Sequence, residues 1–236
     1  MRSNTYTLVF TSIVTIVLGF FLALAADWLR DLQDLNVEND MRKNILLSLG
    51  FKPGAETPWT SDDIQKLFEE NIEALVLDAS GQRTEKDPKE IDSEKNVEFL
   101  PIYLKKIGDD VGGYAIPIAG KGLWSTLYGY FAIEPDGRTV KGITFYKHGE
   151  TPGLGGEVDK PWFQQNFIGK RFVDENDHLL GIHVIKGKVE SDDQEAYHKV
   201  DGISGATMTG KGLEYFLKDD LVKYEPFFKQ VRGRQS

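Results

Sequence analysis

The chain has 236 residues, of which 40% are hydrophobic and 28% charged, a balance typical of a folded protein rather than a disordered one. Its formal net charge of −9 argues against a nucleic-acid partner, because phosphate backbones are bound through clustered Lys and Arg. There is no cysteine, which excludes disulfides, thiolate nucleophiles and cysteine-bound metal clusters within this chain. The four histidines are scattered, so we expect no metal site, and redox chemistry would require an organic cofactor.

The N-terminal segment is apolar and long enough to cross a membrane. Residues Tyr6 to Ala26 carry no charge, and at about 1.5 Å per residue such a helix spans roughly 30 Å, the thickness of a bilayer's hydrocarbon core. The A-L-A run at 23–25 also fits the end of a cleavable signal peptide, but the apolar run is long for one, which favours an uncleaved anchor. Both interpretations carry the following residues across the membrane.

The region after the anchor is predicted to be mostly helical. The segment Leu35–Leu49 indicates one helix, and a second begins after Thr60, whose hydroxyl suits an N-cap. Apolar residues then recur at helical spacing: Ile64, Leu67, Phe68, Ile72, Leu75 and Val76. The charged stretch Ser80–Glu98 is predicted to be a solvated loop.

Strands are predicted from about residue 123. The aromatic and β-branched runs Leu127–Ile133 and Thr139–Tyr146, separated by a turn sequence, indicate a β-hairpin. A further strand is predicted over Gly181–Lys186, and a helix follows Gly210. Pro226 is expected to bend or end this helix.

A glycine-rich segment follows the hairpin at His148–Glu157. Its glycines at 153, 155 and 156 allow the backbone to approach a flat ligand closely and leave amides free to donate. The spacing matches neither a P-loop nor a dinucleotide fingerprint. On spacing alone, an ordinary glycine-rich turn explains the segment equally well.

A second run of small residues, Asp201–Gly210, precedes the C-terminal helix. Such a run forms a nest in which amide N–H groups and the helix dipole favour a phosphate. Lys211 would add a positive charge, and the hydroxyls of Thr207 and Thr209 would lie beside the anion. The alternative is an ordinary Ser or Thr N-cap, which spacing alone favours. Spacing therefore indicates a candidate anion site and no particular cofactor.

These residues carry a resemblance to a known family. The sequence D-G-I-S-G-A-T at 201–207 resembles the flavinylation motif D-x-x-[ST]-G-A-T, in which a flavin transferase uses FAD to join FMN to the final threonine by a phosphoester bond. The blocks G-L-W-S-T-L-Y-G-Y at 122–130 and H-G-E-T-P-G-L-G at 148–155 are similar to the C subunit of the Na⁺-translocating NADH:quinone oxidoreductase. The resemblance covers nearly the whole chain.

The resemblance implies an α+β fold in three parts. Residues 1–30 would be a transmembrane anchor, 31–110 a mostly helical N-terminal lobe, and 111–236 an extracytoplasmic FMN-binding α+β domain. The protein would be a single-pass electron carrier of the bacterial inner membrane, with its soluble domain on the periplasmic side. Its partners would be the other membrane subunits and, during maturation, a flavin transferase. NADH, quinone and sodium would bind elsewhere.

The resemblance also assigns the site residue by residue. The covalent acceptor of FMN would be Thr207. The phosphate would lie among Ser204, Gly205, Ala206 and Lys211. The flavin ring would lie near Glu150, Thr151, Gly153, Leu154 and Trp124. The charge of Glu150 would lower the reduction potential, and no residue is expected to act as a general acid or base.

Five alternatives stay open at this point. The equivalent subunit of the ferredoxin:NAD⁺ reductase complex shares both motifs, although the 122–130 block and the chain length favour the quinone reductase. A hydrolase using Ser204 or Thr207 would need a base, which the sequence does not place among the four histidines. A non-redox extracytoplasmic module could use the same loops for an anionic ligand. Thr209 is also open as the acceptor, and Trp124 could simply pack in the core.

Overall fold

The computed structural model describes residues 3–54, 57–88, 91 and 98–234, which divide after Asp40 into two compact units. The first unit consists of the N-terminal part of helix α1, which as a whole runs Asn4–Ser48. Its segment Asn4–Arg30 is long and apolar enough to cross a membrane, and its large apolar side chains are exposed. The predicted N-terminal apolar helix is therefore confirmed.

The second unit is built on a six-stranded antiparallel sheet. The strands stand in the order β2-β1-β3-β4-β5-β6, so from β3 onwards each strand pairs with the next in sequence. Their bounds are β1 Ile72–Asp78, β2 Arg83–Thr84, β3 Phe99–Ile107, β4 Asp110–Lys121, β5 Thr126–Ile133 and β6 Val140–Lys147.

Both faces of the sheet are covered, because alternate side chains of each strand point to opposite layers. Phe131 lies in a large core cluster shared with helix α4 (Thr207–Gly233). Its neighbour Tyr130 packs on the other face, with Leu46 of α1 and with helix α2 (Ser61–Asn71). The α+β class predicted from the sequence is confirmed.

Short elements complete the domain on the α4 face. They are a 3₁₀ turn at Gly155–Asp159, α3 at Pro161–Gln164, 3₁₀ turns at Gln165–Phe167 and Ala196–His198, β7 at His183–Val184 and β8 at Lys199–Val200. Strands β7 and β8 pair in parallel, and a valine from each joins the core beneath α4.

The predicted hairpin is confirmed as β5 and β6, whereas the strand predicted over Gly181–Lys186 is reduced to β7. The C-terminal helix is longer than predicted. It begins at Thr207 rather than after Gly210 and continues through Pro226 to Gly233. Residues beyond the proline, such as Phe228, are buried in the core, and this packing offsets the hydrogen bond that proline cannot donate.

Helix α2 is shorter than its apolar spacing suggested. Thr60 forms a capping box with Asp63, as its position predicted, but the helix ends at Asn71. Ile72, Leu75 and Val76, expected on the helix, belong to β1. Strand β1 pairs with β3 along its whole length, and this tertiary pairing outweighs the helical periodicity of the segment.

The predicted boundary at residue 110 also differs from the structure. Strands β1 to β3 come from residues 31–110 but belong to the same sheet as β4 to β6, and β3 ends only three residues before β4 begins. Short buried apolar runs cannot be told from helix segments by periodicity, which is why these strands were not predicted. In the stretch 80–98, Arg83–Thr84 forms β2, while 89–90 and 92–97 lie outside the described residues.

Candidate functional site

Three loops meet at one edge of the sheet. Residues 122–125 join β4 to β5, residues 148–154 follow β6, and residues 201–206 lead into α4. In an antiparallel sheet the end of β4, the start of β5 and the end of β6 lie at the same edge. Helix α4 reaches that edge at Gly212, where an added Cβ would lie 2.3 Å from the carbonyl oxygen of Lys121.

The carboxylate of Glu150 binds groups from the other segments. The residue is only 5% exposed. Its Oε1 accepts hydrogen bonds from the backbone amides of Trp124 and Ser125, both at 2.9 Å, and from the Ser125 hydroxyl at 3.2 Å. Its Oε2 accepts from the Thr209 hydroxyl at 2.7 Å and from the Leu123 amide at 3.3 Å. One buried charge therefore ties the loop after β6 to loop 122–125 and to α4.

The protonation of Glu150 follows from these contacts. Burial raises the pKa of Glu150, but hydrogen bonds from Thr209, Ser125 and Trp124 together lower that pKa below its ordinary value. The side chain is therefore ionised at neutral pH. Because the folded-state pKa is depressed, the arrangement stabilises the fold above the ordinary carboxyl pKa and loses that contribution as the pH falls through the folded-state value.

Two glycines make room for the contacts of Glu150. An added Cβ at Gly155 would lie 2.6 Å from both Glu150 Oε2 and Thr209 Oγ1. At Gly122 it would lie 2.8 Å from Glu150 Oε1. Any side chain at these positions would have to displace the carboxylate or its donors.

We expect Gly155→Ala to lower the free energy of unfolding by about 2–4 kcal/mol, because the methyl group pushes apart a buried hydrogen bond to a charged group. Gly149→Ala is the matched control, since its Cβ would lie 3.3 Å from Ser125 Cβ and needs only a small shift. Urea unfolding of the full chain in detergent measures both. An equal loss in the two variants would contradict a tight contact at Gly155.

Helix α4 begins without a side-chain cap. Its N-cap residue is Ala206, which offers no acceptor, and Gly205 before it has φ of +75°. Gly210 N donates to Ala206 O, so the amides before Gly210 in the first turn have no carbonyl partner within the helix. The alternative of an ordinary Ser or Thr N-cap is therefore wrong, and the exposed Ser204 lies two residues before the cap.

The two threonines of this turn face opposite ways. Thr207, the first helical residue, is exposed, whereas Thr209 is 1% exposed and donates its hydroxyl to Glu150. Residues two apart in a helix differ by about 200° around its axis, which explains the contrast. Thr207 is therefore accessible to solvent, and Thr209 is not.

Large apolar side chains are exposed on these segments. Trp124 is 69% exposed, Leu154 42% and Met208 57%. Trp124 therefore does not pack in the core, although its amide is bound to Glu150. Leu154 approaches the run before α4, since a Cβ added at Gly205 would lie 2.8 Å from Leu154 Cδ2. Exposed apolar groups beside an uncapped helix start fit a ligand with a flat ring and a phosphate.

The remaining predicted site residues are at the surface. The carbonyl of Thr151 accepts from the amide of Leu154 at 3.1 Å, which closes a turn. Within that turn Gly153 has φ of +75°, a conformation that favours glycine. Lys211 is exposed and lies four residues after Thr207, hence on the same side of α4.

Ser125 and Thr209 have roles that were not predicted from the sequence. Ser125 donates twice to Glu150, and its Oγ also accepts from the Gly149 amide at 2.7 Å. Thr209 was predicted only as an alternative acceptor, whereas it is the buried partner of Glu150. These contacts join residues 25 and 59 positions apart, beyond the reach of any local periodicity. Their only signal was that all three lie in the motif segments.

The histidine of the glycine-rich segment is directed at its own loop. His148 Nδ1 accepts from the Glu150 amide at 3.3 Å, and Nε2 lies 3.6 Å from Asp159. Both ring nitrogens thus have partners other than Ser204 and Thr207. This geometry disfavours the hydrolase alternative with His148 as its base.

Comparison with known proteins gives the class to which this fold and site belong. Residues 122–221 match the family model described as the FMN-binding domain, and that range contains all three loops and the first half of α4. The chain therefore contains an α+β domain of the FMN-binding type.

Relatives extend the similarity along the whole chain. It is 36% identical to the C subunit of the Na(+)-translocating NADH-quinone reductase of Pseudomonas aeruginosa, covering 100% of this chain and 98% of that one. For the equivalent protein of Vibrio campbellii the identity is 34%, covering 93% and 92%. Crystal structures of the C subunit from Parabacteroides distasonis (TM-score 0.74, 32% identity, 85% and 96% covered) and of NqrC from Shewanella oneidensis (0.70, 26%, 83% and 97%) have the same fold. The chain belongs to the NqrC family, the C subunits of the Na⁺-translocating NADH-quinone reductase, an oxidoreductase complex, as its motifs predicted.

Proposed function

We propose that this chain is the electron-carrying subunit of a Na⁺-translocating NADH:quinone reductase and that it holds FMN through a phosphoester to Oγ of Thr207. One observation carries the proposal. Thr207 is an exposed hydroxyl in the first turn of a helix that no side chain caps, beside loops that match the FMN-binding domain. A phosphate bonded to Thr207 Oγ would lie where the amides of α4 and the helix dipole stabilise negative charge.

The attachment step needs a flavin transferase and FAD. The hydroxyl of Thr207 attacks the phosphorus atom on the FMN side of the FAD pyrophosphate. The Oγ–P bond forms, the P–O bond of the anhydride breaks, and AMP leaves, while the hydroxyl proton passes to a base of the transferase. The chain supplies an accessible acceptor and no catalytic group.

Other residues of the chain would contact the phosphate and the ring of the FMN. The exposed Ser204 and Gly205, followed by the buried Ala206 at the N-cap, would lie beside the phosphate, and Lys211 would add a positive charge one turn later. Trp124 and Leu154 would supply apolar contact with the ring, and the turn at Thr151 and Gly153 would offer backbone amides to its polar edge. When bound, FMN supplies one- and two-electron redox chemistry, which these residues orient rather than perform.

Glu150 would place a negative charge on the side of the flavin that faces the loop after β6. A carboxylate near the ring makes added electrons less favourable and lowers the reduction potential. Five hydrogen bonds to its two oxygens offset part of that charge. We therefore expect the effect of Glu150 on the potential to be smaller than that of an unpaired carboxylate.

The apolar segment Asn4–Arg30 anchors the subunit in the bacterial inner membrane, with the FMN-binding domain on the periplasmic side. Its partners are the other subunits of the complex, between whose redox centres it passes electrons. On the periplasmic side a dissociable cofactor would be lost by dilution, since occupancy by mass action falls with ligand concentration. A covalent bond through the phosphate removes that loss and leaves the ring chemistry unchanged.

Retention of flavin after unfolding tests the proposal. The chain is purified from cells that make the flavin transferase, unfolded in guanidinium and passed through a desalting column. We expect the flavin absorbance to elute with the protein, and the same chain made without the transferase to carry none. Flavin that elutes with the small molecules in both cases would contradict a covalent link.

A further inference from the structure

The contacts of Glu150 determine more than the stability of its loop. From them we infer that Glu150 is a positioning residue for flavin attachment, acting through Thr209 to aim the hydroxyl of Thr207. This inference rests on the proposed function. Glu150 is buried, and both of its oxygens are used within the protein, so its part in attachment is to orient other groups rather than to react.

The first step concerns the rotation of α4 about its own axis. Thr207 and Thr209 lie about 200° apart around the helix, so the direction of one fixes that of the other. The 2.7 Å hydrogen bond from the Thr209 hydroxyl to Glu150 Oε2 turns Thr209 inward. Thr207 is thereby directed outward, where it is exposed.

The second step concerns loop 122–125. The other oxygen of Glu150 accepts from consecutive amides, those of Trp124 and Ser125, at 2.9 Å each. Trp124, whose ring is exposed, is thus held at a fixed position relative to the same carboxylate that orients α4. A transferase that must place a flavin ring and a phosphate together meets both parts of the site already arranged, and misplacement of reacting groups is costly to rate.

The third step concerns the choice of acceptor. Thr209 is excluded as a competing nucleophile because it is buried, and its hydrogen bond to Glu150 holds its hydroxyl in that inward position. The same contact that orients Thr207 therefore also excludes its neighbour. The single side chain of Glu150 therefore favours the hydroxyl of Thr207 over that of Thr209.

The test measures the initial rate of flavin attachment to the full chain in detergent, using purified transferase and FAD, with intact mass as the readout. Glu150→Gln keeps the size of the side chain and removes its charge. Thr209→Val keeps the shape and removes the hydroxyl, and Thr209→Ser keeps the hydroxyl. Asp220→Asn is the matched control, since Asp220 is also buried in α4 and accepts from a backbone amide, that of Ala119. It lies about 20 Å along the helix from Thr207.

We expect attachment to be slowed at least about tenfold in Glu150→Gln and Thr209→Val. We expect it to be close to the unaltered rate in Thr209→Ser and Asp220→Asn. Circular dichroism at the assay temperature establishes which variants are folded, and if Glu150→Gln is not, the Thr209 pair decides. Unaltered rates in the folded Glu150→Gln and Thr209→Val variants, or equal slowing in Asp220→Asn, would overturn the inference. A starting protein that takes up no flavin at all would instead overturn the proposed function.

Discussion

Thr207→Ala is expected to abolish covalent flavin completely. The substitution removes the exposed hydroxyl of the motif, and Thr209 cannot replace it because it is buried and donates to Glu150. The helix should form as before, since alanine is the residue with the best helix propensity and Thr207 is exposed. Fluorescence of the protein band in a denaturing gel measures the loss. NADH-driven quinone reduction by the complex should fall to background in parallel, because the electron path lacks one carrier.

Two controls separate the hydroxyl from its surroundings. Thr207→Ser keeps a hydroxyl at the same place and should remain fluorescent, whereas Ser204→Ala removes a nearby hydroxyl outside the helix and should also remain fluorescent. A fluorescent Thr207→Ala band would show that another side chain accepts the flavin. A dark Ser204→Ala band with Thr207 intact would show that attachment also requires the hydroxyl of Ser204.

The second prediction concerns the side of the membrane on which the FMN-binding domain lies. The chain has no cysteine, so a single introduced cysteine is the only thiol and needs no background removal. Ser191→Cys lies at an exposed position of the FMN-binding domain, and Ser3→Cys lies exposed on the other side of the apolar span. A membrane-impermeant maleimide added to spheroplasts should label the Ser191→Cys variant at once and the Ser3→Cys variant only after permeabilisation.

The pattern of labelling distinguishes the remaining topologies. Label at position 3 but not at 191 in intact spheroplasts would contradict a periplasmic domain. If the N-terminus were a cleaved signal peptide, the mature protein would carry no label at position 3 even after permeabilisation, and its mass would fall accordingly.

The sequence predicted well those parts of the fold that local patterns specify. The β5–β6 hairpin is bounded by a turn sequence, and α2 begins at a capping box, so both could be read from neighbouring residues. The pairing of β1 with β3 joins residues on either side of a long charged stretch, which no local pattern records. For the same reason the end of α2 and the predicted boundary at 110 differ from the structure.

The candidate site shows the same division. The motif segments indicated Thr207 and the loops around it, because small residues before a helix have a local meaning. Only the folded backbone shows that α4 begins without a side-chain cap, because the sequence alone would also allow Ser204 or Thr207 as the N-cap. The contact of Glu150 with Thr209 could be found only in the tertiary structure, because the two residues are 59 positions apart in the chain. The difference in burial then distinguishes the exposed Thr207 as the candidate acceptor from the buried Thr209.

The most direct test of the central claim is tandem mass spectrometry of the peptide that spans 201–211, taken from the protein as purified from its native membrane. We expect the mass of FMN less water on this peptide, with fragment ions that place it on Thr207 and leave Thr209 unmodified. An unmodified Thr207 in protein from a host that makes the flavin transferase would contradict the account.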